Sequence, residues 1–398
     1  MAKYNFDEKI NRYNTNSLKW DYAKYRNKPE DILPLWVADM DFKCPDEVIN
    51  ELVLKSNHGI FGYSEPLEDY FEILNSWFLK HYNYSVSKDN IVLSPGVVFA
   101  LSNAVCALTK KGDAIIINEP VYYPFSEVIL DNERKLIVSE LVNNKNKYEF
   151  DYTDFEEKIV ANDVKLYIIS NPHNPVGKVW KESELKRIYD ICKKHNVFIL
   201  SDEIHADFIF KGNKFTSLAT ISKTKDDIIV FTSPSKTFNV AGLHNANIYI
   251  PNLDIKNLYL KEQNKRGYSQ SNIMGIVAAM ACYKYGELWL EELLEYLESN
   301  LDFLRNYLKE KLSQIKLIEP EGTYLIWLDF KNFNLPRKKL EDIIVNKAKL
   351  WLDPGIVFGK SGDKFERINI ATQRSVLLDA LNRLYNAFKE EGLLDGSN

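Results

Sequence analysis

Residues 227–243 read Asp227-Ile-Ile-Val-Phe-Thr-Ser-Pro-Ser-Lys-Thr-Phe-Asn-Val-Ala-Gly-Leu243. The apolar run from Ile228 to Phe231 has the length and composition of a buried strand, and it stops abruptly at two serines, a proline and a lysine. Lys236 therefore lies just past a strand end. A lysine in an arbitrary loop is a solvated charge. Here Ser233, Ser235, an asparagine and an Ala-Gly pair surround it, a tight polar setting that suits a flexible amine held beside an anion.

Upstream, the same pattern of apolar strand and polar turn recurs. Asn90-Ile-Val-Leu93 leads into Ser94-Pro-Gly96 and a helix reaching about Leu108. Asp113–Ile117 precedes Asn118-Glu-Pro-Val-Tyr122, and Lys165–Ile169 precedes Ser170-Asn-Pro-His-Asn174. The helix Glu182–His195, with Leu185, Ile188, Ile191 and Cys192 on one face, leads into the strand Val197–Leu200 and then Ser201-Asp-Glu-Ile-His205. Strands alternating with helices predict βαβ units and a largely parallel sheet, completed by the strand before Lys236. In such sheets ligands bind outside the carboxyl ends of the strands. Gly96, Tyr122, Asn171, Asn174, Asp202 and Lys236 are thus expected to converge on one pocket.

The flanks read differently. Residues 1–45 are irregular and end in Leu33-Pro-Leu-Trp-Val-Ala-Asp-Met-Asp-Phe42, an expected ordered arm lying on the body. Helices are predicted from Pro45-Asp46 to residue 57 and over 66–83, separated by the aromatic-tipped turn His58-Gly-Ile-Phe-Gly-Tyr63. Leucines at 290, 294, 297, 301, 304 and 308 form a heptad in a helix of roughly 287–312. Leu293, Tyr296, Phe303 and Tyr307 broaden that stripe, which favours a core helix joining two domains over a coiled coil. Arg337-Lys338-Lys339 reads as a solvated loop. The expected organisation is an arm over 1–45 contributing to the small domain, a large domain over 46–286 and a small domain over 287–398.

At 398 residues the chain exceeds the roughly 250–300 residues at which single cores stop growing. Its 51 basic and 56 acidic residues give a net charge of −5, which excludes a global basic footprint for nucleic acid. No signal-peptide core or membrane-length apolar run is present, so a cytoplasmic location is expected. Cys44, Cys106, Cys192 and Cys282 have no Cys-x-x-Cys pairing and read as free thiols rather than disulfides or a zinc site, with Cys106 and Cys192 in core positions.

Gly96 opens a helix directly after a strand, which offers free N–H groups and a positive dipole end to a phosphate. Asp202 follows four apolar residues, and a carboxylate at that depth needs a cationic partner to stay ionised; a structural salt bridge or cap is the plainer alternative. Tyr122 is either a stacking platform or one of 23 tyrosines. A lysine nucleophile, a carboxylate, a phosphate site and an aromatic face together suit pyridoxal 5′-phosphate, PLP.

Read through these motifs, the chain resembles the PLP enzymes of the aspartate-aminotransferase-like fold, within the class I/II aminotransferase superfamily, and among them the cystathionine β-lyase and C–S lyase branch. The resemblance rests on Trp36–Phe42, His58–Tyr63, Asn171-Pro-His-Asn-Pro-Val-Gly177, Ser201–His205, Ser235–Leu243 and Gly359–Ala371. It implies an α/β fold with a large, mostly parallel-sheet domain and a smaller α+β domain. It also implies that Lys236 would carry the cofactor and move the substrate Cα proton, Asp202 would keep the pyridine nitrogen protonated, Asn174 would bond the ring hydroxyl and Tyr122 would stack on the ring. Gly96, Val97 and Val98, with Ser233 and Ser235, would hold the phosphate, and Tyr63 would reach the phosphate of a neighbouring subunit in a homodimer. Arg367, with Ala38 and Asn174 close by, would clamp the substrate carboxylate. The implied reaction is α,β-elimination of L-cystathionine or a related S-substituted cysteine, in amino-acid metabolism that includes methionine biosynthesis. An aminotransferase uses the same residues and is the alternative, and a non-enzymatic binding protein would require a dead site. One departure is His244, where many aminotransferases of this fold place a phosphate-binding arginine. His173 and His205 are expected behind the residues that touch the cofactor.

Overall fold

The computed structural model of the protein describes residues 3–394. Seven strands form its main sheet: β1 (Ile91–Ser94), β2 (Ala114–Ile117), β3 (Lys135–Val138), β4 (Leu166–Ser170), β5 (Phe198–Asp202), β6 (Ile228–Thr232) and β7 (Ala246–Tyr249). They lie side by side in the order β1-β7-β6-β5-β4-β2-β3. The run from β3 to β6 is parallel, and β7 runs antiparallel to both β6 and β1. Every residue of β2, β4 and β6 is buried, because helices cover both faces of the sheet. That double burial is why these strands read as continuous Ile, Val and Leu runs rather than alternating patterns.

Two strands escape the sequence pattern. The set does not close at β6, since β7 is inserted between β6 and β1. Its second residue, Asn247, breaks the apolar signal, yet it is buried and satisfied. The Tyr70 hydroxyl donates to its Oδ1 at 2.5 Å, and its Nδ2 donates to the Tyr283 hydroxyl at 3.3 Å. The edge strand β3 is only partly covered and begins with an exposed lysine, so its composition carries little strand signal.

A second, four-stranded antiparallel sheet comprises β8 (Lys316–Leu317), β9 (Leu325–Asp329), β10 (Asp353–Pro354) and β11 (Phe365–Asn369), ordered β8-β9-β11-β10. The helix Glu287–Lys311 leads into it as a core helix, burying Leu290, Leu293, Leu297, Leu301, Leu304 and Leu308. At roughly 1.5–3 kcal/mol per buried leucine, this seam contributes on the order of 10 kcal/mol before chain entropy is counted. Arg337, Lys338 and Lys339 are solvated as expected but are not a loop; they form the first turn of the helix Arg337–Asp342, whose Leu340 is buried.

The arm is ordered over the described residues 3–45. Phe6 packs edge-on against Phe42 and Trp289, with ring centroids 5.1 and 5.7 Å away. Leu33–Pro34 pairs in parallel with Leu350–Trp351, and Trp36 stacks on Trp351 at 4.5 Å. Lys19 is fully buried because Asp41 lies 2.8 Å from its ammonium. The two sheets are also joined at Gly177, whose carbonyl accepts from the N–H groups of Glu321 and Gly322 at 2.8 and 3.0 Å. A Cβ there would come within 2.7 Å of Pro320, and the positive φ of 70° favours glycine independently.

Candidate active site

A cavity of about 390 Å³ opens at the carboxyl edge of the main sheet. Its wall brings together Ala38, Gly96, Val97, Val98 and Tyr122 with Asn174, Asp202, Ser235 and Lys236. Two roomier clefts, of about 600 and 940 Å³, include neither Lys236 nor Asp202.

Lys236 lies on the one-turn helix Pro234–Thr237 that immediately follows β6. Ser233 caps that turn: its hydroxyl accepts from the Ser235 N–H at 3.0 Å and donates to the Asn245 carbonyl at 2.6 Å. Ser233 is thereby a support behind Ser235 rather than part of the cavity wall. The Lys236 Nζ donates to the Ala38 carbonyl at 2.8 Å. Burial pulls the amine down to about 8, with Asp39 and Asp202 opposing and Arg367 adding to the depression.

Asp202 ends β5 and faces the same space. Its carboxylate accepts only from the Ile204 N–H, at 3.1 Å, and burial pushes it up to about 7 against the pull of that bond and of Lys236. A buried carboxylate so raised is suited to a buried cationic nitrogen. Tyr122 and Asn174 are tied backbone to backbone, the Tyr122 N–H donating to the Asn174 carbonyl at 3.0 Å. Asn174 Oδ1 accepts from Arg367 Nη1 at 3.0 Å, leaving its amide nitrogen as the end available to a ligand.

Gly96 precedes the helix Val97–Leu108, which has no side-chain cap. A Cβ on Gly96 would meet no atom within 4 Å, so the backbone here borders open space that a side chain would occupy. Uncapped first-turn N–H groups beside such a gap form an anion cradle. His244 lines the same end of the cavity, with Nδ1 3.3 Å from the Pro95 carbonyl. His244, the departure noted in the sequence, is thus an imidazole tied to the cradle turn.

Some sequence-derived residues lie elsewhere. Asn171 is buried outside the wall, where its amide donates to the Thr216 carbonyl at 2.9 Å. Arg367 is buried behind Asn174 rather than in the wall. Tyr63 is 95% exposed on its turn and reaches no part of this cavity. His173 is also outside, with Nε2 2.9 Å from the Pro120 carbonyl. His205, however, lines the cavity; its Nδ1 has no partner, and burial pulls it down to about 3, so the ring is neutral. Asn239 is the asparagine of the polar setting around Lys236, three residues after it, whereas Tyr324 and Asp353 carry no signal in the sequence.

The family described as aminotransferase class I and II matches residues 30–384, nearly the whole chain. The chain belongs to this family. The cystathionine β-lyase PatB of Bacillus subtilis (strain 168) is 36% identical over 381 residues, covering 96% of this chain and 98% of its own. Cystalysin from Treponema denticola, whose crystal structure contains pyridoxal 5′-phosphate, is 37% identical with a TM-score of 0.94, covering 98% of this chain and 99% of its own. A PLP-bound C–S lyase from Staphylococcus hominis is 33% identical with a TM-score of 0.90, covering 97% and 98%. The main sheet and the smaller antiparallel sheet are therefore the aspartate-aminotransferase-like α/β fold of this family. Within it, the cavity has the groups that PLP calls for: an amine of lowered pKa, a buried carboxylate, an uncapped helix end and the aromatic ring of Tyr122.

Proposed function

We propose that the protein is a PLP-dependent carbon–sulfur lyase that cleaves L-cystathionine or related S-substituted L-cysteines by α,β-elimination. The observation that carries the proposal is the opposed pair of Lys236, with its lowered pKa, and Asp202, with its raised one, in one cavity. End-to-end similarity to a cystathionine β-lyase and to a PLP-bound C–S lyase supports the choice of reaction.

In this reading Lys236, Asp202, Asn174, Tyr122 and Ser235 would hold PLP, with Ser233 behind Ser235 and the backbone of Gly96, Val97 and Val98 around the phosphate. When bound, PLP supplies a protonated ring that accepts the electron pair left at the substrate Cα. Lys236, with a pKa of about 8, is partly unprotonated at neutral pH and takes the Cα proton. Asp202 would keep the proton on the ring nitrogen. Arg367 and the backbone of Ala38 orient the α-carboxylate, which sets the Cα–H and Cβ–S bonds relative to the amine. The Cβ–S bond then breaks, sulfur leaves with the bonding pair and acquires a proton, and water converts the released 2-aminoacrylate to pyruvate and ammonia.

The same reading divides the chain into the arm 1–45, a large domain over 46–286 and a small domain over 287–398, in a cytoplasmic homodimer. Among the described residues no helix is long and apolar enough to cross a membrane. Val53, Leu54, Ile60, Phe61, Tyr63 and Leu67 are all more than half exposed along one helix and the turn after it, an apolar surface suited to a second copy. Tyr63 would then complete the neighbouring phosphate site. Sedimentation of the purified protein, with and without Tyr63→Ala, reads out the dimer and whether the tyrosine acts on cofactor retention across it.

The deciding experiment incubates the PLP-loaded protein with cystathionine and several S-substituted cysteines without any oxo acid. Pyruvate and free thiol are expected in equal amounts. Turnover that appears only when an oxo acid is added would instead identify an aminotransferase.

A further inference from the structure

Arg367 is engaged by the protein before any substrate arrives. Its Nη2 donates to the Trp36 carbonyl at 2.9 Å and to Asp353 Oδ2 at 2.5 Å, and its Nη1 donates to Asn174 at 3.0 Å. The Phe358 ring lies 4.8 Å from its Cζ, and Nε is buried without a partner. Of five N–H donors, three are committed, and the free ones are on Nε and Nη1.

The decisive neighbour is Asp353. It stands directly across from Arg367 in the β10–β11 register, and the two side chains are only 9% and 3% exposed. Burial raises the Asp353 carboxyl, and the Arg367 guanidinium bonded to it opposes that rise. A guanidinium facing a buried carboxylate is no longer a free positive charge. A substrate carboxylate that needs the bidentate fork must share or displace a contact, and Asp353, carrying the like charge, is the contact it opposes.

Resting on the role proposed for Arg367, we propose that Asp353 determines substrate specificity by acting as a built-in carboxylate that neutralises Arg367 and shares it with the substrate. The pocket then binds an amino acid through one moderately held α-carboxylate and has no surplus cation there for a second acidic group. Substrates whose side chains carry no net charge, such as simple thioether amino acids or cystathionine, whose distal carboxylate is balanced by its own ammonium, are favoured over those with an acidic side chain.

The test uses the PLP-loaded protein and propionate, an unreactive monocarboxylate, titrated by calorimetry. Asp353→Asn keeps the shape and one acceptor but removes the charge, so propionate is expected to bind about tenfold more tightly than to wild type. Arg367→Gln is expected to abolish that binding. Unchanged or weaker binding by Asp353→Asn, alongside loss in Arg367→Gln, overturns the proposal and leaves the Arg367 reading standing. Propionate binding that survives Arg367→Gln overturns that reading itself. Should Asp353→Asn fail to fold, wild type alone decides: the KM values of S-methyl-L-cysteine and its amide are expected to differ less than about tenfold, and a difference above about a hundredfold, the mark of an uncompensated buried cation, overturns the proposal.

Discussion

The Lys236 ammonium and the carbonyl of Ala38, 198 residues apart in the chain, meet at 2.8 Å. The same carbonyl accepts the Tyr324 hydroxyl at 3.0 Å. One backbone oxygen of the arm therefore joins the end of the main sheet to the start of β9. The arm's path is held by Asn239, whose amide takes the Met40 N–H at 2.9 Å and donates to the carbonyls of Met40 and Phe42 at 3.0 and 2.8 Å.

Asn239→Ala removes all three bonds and leaves partly buried backbone groups unpaired, at a cost of about 2–4 kcal/mol. Urea unfolding is expected to report that loss. Limited proteolysis should cut the arm near residues 38–42 sooner than in wild type, and KM should rise because Ala38 is displaced from the proposed carboxylate site.

Lys236→Ala removes the only lysine that lines the cavity among the described residues. Turnover is expected to fall by at least about a thousandfold. Borohydride treatment of the PLP-loaded wild type should leave a reduced cofactor adduct on the peptide containing Lys236, found by mass spectrometry, and the variant should yield none.

Asp202 makes the cofactor-free protein sensitive to pH. Its carboxyl is raised from 3.8 to about 7, so between those values the folded state holds a proton that the unfolded chain has lost. The contribution of Asp202 therefore favours folding at the acid end and weakens as pH rises through about 7, by up to roughly 4 kcal/mol. Compared with Asp202→Asn, the cofactor-free wild type should lose melting temperature between pH 5 and pH 8. Loading with PLP, whose ring nitrogen would pair with the carboxylate in the proposed reading, should remove most of that difference.

Gly359 has φ at 130°, and a Cβ there would stand 2.3 Å from Glu119 Oε2. Gly359→Ala strains the backbone and drives Glu119 out, costing about 2–4 kcal/mol. Adding Glu119→Ala should recover only the part due to the clash. Denaturant midpoints of the single and double variants separate the two contributions.

By itself the sequence determined the parallel sheet and the chemistry at its edge. Strands buried on both faces must be continuously apolar, and their polar turns must follow at once, so Gly96, Tyr122, Asn174, Asp202 and Lys236 stand out locally. The arm and the core helix Glu287–Lys311 were equally legible, because aromatic content and a broad leucine stripe are properties of residue type. Tertiary structure alone decided the insertion of β7, the placing of His205 in the cavity wall, the retreat of Ser233 behind Ser235 and the pairing of Asp353 with Arg367. Asn247 is acceptable in a buried strand only because Tyr70 and Tyr283 reach it from packed helices. The Ala38 carbonyl exists in every residue of the chain, so nothing in its identity marks it as the partner of Lys236. Asp353 and Arg367 are 14 residues apart on neighbouring strands, and only the register between those strands brings the carboxylate onto the guanidinium.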